Sequence, residues 1–263
     1  METLLEVYWI GIAVGIIPLL LGFFPSFYLN ERKNWSTFSV GIALGFLSLF
    51  FTDLIDDSGA LGVSSGLSIT LNQILLPGLF FLGFSAFMMI AGRYSHGRGR
   101  SLYSGSILLA YLVAGGIGLH AFGEGMIVGS SLASRALIGE LSSLLQGFSF
   151  SLHKFLEGFT VAVFFGPKPH LKTATICALL ISVPYVIGIP LGLFTYPAIL
   201  ANFFFAAGAG AVIFIILQLT RGFSLDKIDY NVILGFLTGF VLVYVGTLIH
   251  FTTGSWLVSS TAH

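Results

Sequence analysis

Charge is what this sequence has least of. Asp, Glu, Lys and Arg make up 8% of the 263 residues, while 56% are hydrophobic. A soluble domain keeps about a quarter of its residues charged, so a water-exposed globular fold is excluded and the bilayer is the expected solvent. Neither sign prevails. A net charge of zero removes any general electrostatic attraction to nucleic acid. There is one cysteine, Cys177, inside an apolar run. It cannot form an intrachain disulfide, reads as a small core residue, and says nothing of the redox compartment. The first apolar stretch has no basic n-region and no small-residue cleavage site, so it is expected to be a retained span.

Apolar segments of membrane-crossing length recur between short polar breaks. They predict helices near 6–29, 36–57, 73–91, 105–133, 140–166, 173–194, 198–220 and 231–252. The Gly/Ser-rich stretch from Ser58 to Asn72 reads as a surface loop. No connection is long enough for a soluble domain. The expected fold is therefore an all-α membrane protein with eight transmembrane helices in one domain, 1–263. Its 3+2+3 arrangement has a first triplet at 1–91, a central pair at 105–166 and a last triplet at 173–252.

Arg32, Lys33, Arg93, Arg98, Arg100, Lys168, Lys172, Arg221 and Lys227 all fall in connections on one side of these spans, and Arg135 falls on the other. The positive-inside rule then puts both termini outside. Glu2, Glu6, Asp56, Asp57 and Glu140 gather at the external face, where they form either a cation-attracting vestibule or a scatter of solvated acids. Pro18 and Pro25 interrupt span 1, and Pro184 and Pro190 interrupt span 6. Matched breaks in the two triplets predict an inverted repeat with broken helices beside a site.

Against this apolar background stand two histidine–glutamate pairs, His120/Glu124 in LHAFGEGMIVG and His153/Glu157 in LHKFLEGFTVA. Residues four apart on a helix sit one turn above each other, on one face. An ionised carboxylate near mid-membrane is costly without a partner, whereas imidazole and carboxylate together suit zinc and its neighbours. Two such pairs on successive spans predict one metal site built by spans 4 and 5. A structural hydrogen-bonded cluster is the alternative. Gly125 and Gly158 follow the two glutamates and allow close helix approach. Lys154, three residues before Glu157, is within reach of its carboxylate and can hold it ionised.

HAFGEG and HKFLEG resemble the span-4 and span-5 signatures of the ZIP (Zrt/Irt-like) family of divalent-metal transporters, and FTDLIDD resembles that family's span-2 ending. The resemblance implies eight spans, external termini and zinc uptake toward the cytoplasm by alternating access. Iron, cobalt, manganese or cadmium are further cargoes, and no organic cofactor is needed. It places Asp53 on the metal pathway. Departures from the family pattern are Ala121, Lys154, Ile189 and Gln218, each where a further ligand is common. They imply one metal rather than two, with Lys154 in place of the second cation.

His250, His96, His170 and Arg135 read as interfacial or solvated residues. An intramembrane zinc-dependent hydrolase is the alternative function, but there is no HExxH and no GxSxG. A bis-histidine haem site would leave both glutamates unexplained. The expected partners are the divalent ion, the bilayer of a cell membrane and, as one assembly open to it, a second copy in a homodimer.

Overall fold

A computed structural model describes residues 2–29, 33–64, 69–96, 107–133, 140–165, 171–194, 198–220 and 229–260. Among the described residues every regular element is helical. α1 runs through Glu2–Gly11, a π turn at Ile12–Ile16, and Ile17–Leu29. It is followed by α2 (Lys33–Ser64), α3 (Ile69–His96) and α4 (Ile107–Ala133). Next come α5 (Glu140–Ala162, closed by a 3₁₀ turn at Val163–Phe165), α6 (Leu171–Phe194), α7 (Ala198–Thr220) and α8 (Tyr230–Ser260). Among the described residues seven of these helices, α1–α4 and α6–α8, are long and apolar enough to cross a membrane. The chain is an integral, multi-pass membrane protein. Side chains such as Phe24, Ile74, Phe81, Leu179 and Val241 are exposed on its outside, where lipid rather than water is their solvent.

Two sequence expectations need correction. The segment read as a loop, Ser58 to Asn72, is largely helical: α2 continues to Ser64 and α3 starts at Ile69. Gly and Ser weaken a helix but do not end one that two apolar spans already nucleate. Nor is α6 broken, since it runs unbroken through Pro184 and Pro190. Membrane helices tolerate proline where neighbours cover the freed carbonyl, and Leu180, four before Pro184, presses its carbonyl on Gly118 of α4. In α1 the cost is visible. Pro18 cannot donate to Val14, the Ile17 amide bonds instead to the Ile12 carbonyl to make the π turn, and Ser151 of α5 donates to the Val14 oxygen at 3.3 Å.

Helices pack as α1 on α5, α4 on α6, α2 on α8 and α3 on α7, with α2 and α7 also joined to each other. Each of the four pairs meets along a glycine seam. Gly118, Gly125 and Gly129 of α4 abut the carbonyls of Leu180, Tyr185 and Ile189 in ascending order, so α4 and α6 run parallel. Gly41 and Gly45 of α2 meet Val232 and Phe236 of α8 in the same sense. Gly22 of α1 faces the Phe155 carbonyl of α5, and Gly158 of α5 faces that of Leu19. α4 runs antiparallel to α7, because Gly116, His120 and Gly123 of α4 meet Ile215, Gly208 and Phe205 of α7 in turn.

Such seams predict a large effect of small side chains. Gly158→Val should prevent accumulation of folded protein, because the new carbons collide with backbone, which cannot rotate away. Size-exclusion profiles in detergent would check this: a monodisperse variant peak at wild-type yield would contradict it.

Candidate metal centre

His120 is the midpoint of the 27-residue α4, so it lies about 20 Å of helix from either end. His153 and Glu157 occupy the middle of α5. The two helices cross antiparallel there, bringing His120 to 4.0 Å from Glu157 and Glu124 to 3.9 Å from His153. Within each helix the i,i+4 contacts are 3.0 Å for His120–Glu124 and 3.3 Å for His153–Glu157. One ligand atom from each of the four residues lies within 4.8 Å of all the others. A tetrahedral site with bonds of 2.0–2.1 Å has donors about 3.3 Å apart, so the edges within each helix already match and the longer edges between helices must close around an ion.

Hydrogen-bond geometry favours the same reading. Both ring nitrogens of His120 and Nε2 of His153 are buried without an aligned hydrogen-bond partner, despite the nearby carboxylates. Buried polar atoms are normally paired, and a cation within the cluster would satisfy Nε2 of both histidines.

The carboxylates divide their oxygens. The Oε1 atoms of both glutamates face the histidines, while Lys154 takes Glu124 Oε2 and both oxygens of Glu157, at 2.8 and 3.0 Å for the latter. The ammonium is itself buried, with the rings of Phe150 and Tyr185 at 5.6 and 5.4 Å from Nζ. Tyr185 in turn packs against Gly11 and Gly15 at the π turn of α1. Two carboxylates and one ammonium carry a formal charge of −1, which attracts a cation.

Phenylalanines wall the opposite side. Phe50 of α2 stands edge-on to His120 at 4.7 Å and 5.4 Å from His153, with Phe46 at 5.5 Å from His153 and Phe205 of α7 at 5.1 Å from His120. Access is one-sided. The side chains of His153 and Glu124 retain 23% and 10% exposure, while His120 and Glu157, one turn away, retain 5% and 0%. The cluster therefore opens toward the end where α4 finishes and α5 begins. The other end is sealed by Ile117, Phe164, Phe165 and Phe23, all buried.

Asp53 is half-buried and stands outside the four-residue cluster. Asp57, which the sequence reading left among the external acids, lies within electrostatic reach of His120, Glu124 and Asp53. Its position seven residues after Phe50, on one helix face, is the signal that marks it. Ala121 and Ile189 are buried in the apolar core, and Ile189 reaches Gly11 of α1. His170, Arg32, Arg98, Arg100, Arg135, Lys168, Arg221 and Lys227 lie outside the described residues, as do the side chains of Glu2, Lys33, His96, Glu140 and His250.

Comparison with protein families and with curated proteins finds no match to this chain.

Proposed function

We propose that this protein carries a divalent transition-metal ion, zinc foremost, across a membrane toward the cytoplasm, by alternating access through a single His/Glu site, as ZIP transporters do. The observation that carries this reading is the convergence of His120, Glu124, His153 and Glu157 at mid-membrane. A ligand set that fills all four tetrahedral positions suits holding an ion. It does not suit a zinc hydrolase, which keeps a position for water.

The packing supports eight crossings. α4 and α6 run parallel, so the chain between them must return across the bilayer, and α5 is that return. Exchanging α1 with α6, α2 with α7, α3 with α8 and α4 with α5 maps the four glycine-seamed pairs onto one another. This is the pattern of two inverted triplets around a central pair. An even number of crossings puts both termini on one side, and the distribution of basic residues makes that side external. The open face of the cluster then looks outward, past Asp57.

Zinc entry into proteoliposomes, read by an enclosed dye and competed by iron, cobalt, manganese and cadmium, tests the proposal. Saturable zinc entry is expected; a vesicle no more permeable than protein-free lipid would overturn it. Protons should compete with the metal for imidazole and carboxylate, so binding should weaken as the medium is acidified. Titration of purified protein at about pH 7.5 and about pH 5.5, either side of the ordinary histidine range, reads this directly. Equal affinities would exclude histidine ligands.

A further inference from the structure

Most helix hydroxyls among the described residues do the same thing. Those of Ser26, Ser39, Ser48, Ser58, Thr175, Thr220 and Thr238 donate to a backbone carbonyl three or four residues back. This is the ordinary way to satisfy such a group in lipid. Among the described residues two aliphatic hydroxyls, Thr160 and Ser182, are buried without a partner, and of these only Thr160 is on a helix that carries ligands of the cluster. Its side chain is fully buried, and its hydroxyl has no hydrogen-bond partner. An unmet buried hydroxyl is costly, and its position explains what it serves.

Thr160 is seven residues after His153 and three after Glu157, so all three share one face of α5. It lies one turn beyond Glu157, on the sealed side of the cluster. One turn further, α5 tightens into the 3₁₀ turn at Val163–Phe165. There Phe165 meets Phe23 of α1 edge-on at 5.3 Å and stacks on Phe27 at 6.3 Å. Ser26, between Phe23 and Phe27 on α1, is buried as well, but its hydroxyl is committed to the Phe23 carbonyl, whereas that of Thr160 is uncommitted.

We propose that Thr160 is the next ligand on the release path: its hydroxyl oxygen receives the ion as Glu157 lets it go, below the cluster and above the Phe23/Phe27/Phe165 seal. This rests on the transporter reading above and adds to it a residue that acts on release rather than on binding.

Three variants test it in zinc-loaded proteoliposome assays and in zinc titrations of purified protein. Thr160→Val keeps the shape and removes the oxygen. It should lower the maximal rate about tenfold, the effect of one lost oxygen contact on a barrier, while zinc affinity and stoichiometry stay at wild type. Thr160→Ser should restore the rate. Thr160→Cys places a soft sulfur on the path, so cadmium should be slowed several-fold more than zinc. A structural hydroxyl would move neither the rate at fixed affinity nor the ion ratio. A wild-type rate in Thr160→Val overturns the proposal; if that variant does not fold, an unchanged cadmium-to-zinc ratio in Thr160→Cys does so. Absence of zinc entry with the wild-type protein would instead overturn the transporter reading, and this proposal with it.

Discussion

Glu157→Gln and Glu124→Gln should each lose tight zinc binding while the protein still folds. The amide keeps the size of the side chain and removes the charge that both the ion and Lys154 require. Changes to residues that merely orient a metal ligand cost 10- to 100-fold in affinity, so loss of the ligand itself should cost at least about a hundredfold. Isothermal titration of detergent-purified variants measures this. The corresponding His120→Ala and His153→Ala variants should also bind weakly. Near-wild-type affinity in both glutamine variants would remove the four-residue cluster as the ion site.

Lys154 should set both stoichiometry and stability. In the folded protein its ammonium is buried between two carboxylates, where it would repel a second cation. Wild-type protein stripped with chelator and reloaded should hold one zinc per chain. Lys154→Ala removes the shared counter-charge and leaves two buried acids facing each other. Breaking a buried ion pair from one side costs about 3–5 kcal/mol, so the metal-free variant should melt well below wild type, and zinc should recover much of the difference. Lys154→Glu adds oxygen ligands where the ammonium stood and should raise the zinc content to two. Metal analysis and thermal unfolding read these outcomes; one zinc in Lys154→Glu and an unchanged melting temperature in Lys154→Ala would contradict them.

The cluster was legible in the sequence because its grammar is local. His120/Glu124 and His153/Glu157 are each one helical turn apart, and the apolar runs around them fix the depth. Lys154 was legible in the same way, from its three-residue spacing to Glu157, but its hold on Glu124 across the helix crossing was not. The reach of Asp57 to His120 and the packing of Tyr185 on the π turn depend on how α1, α2 and α6 dock, which no single segment encodes. Helix ends were misplaced where hydropathy stops but the helix does not, as at Ser58–Ser64. The prolines of α6 misled for a related reason: a missing donor weakens an isolated helix, while here glycine-backed neighbours keep it continuous. The hydroxyl of Thr160 was invisible in sequence, since only coordinates show which threonines bond their own backbone.

X-ray absorption at the zinc edge, on wild-type protein loaded with one equivalent, tests the central claim most directly. Four nitrogen or oxygen neighbours at about 2.0–2.1 Å, with the outer-shell pattern of two imidazoles, are expected from His120, His153, Glu124 and Glu157. A six-coordinate shell without imidazole, or a protein that retains no zinc after desalting, would contradict it.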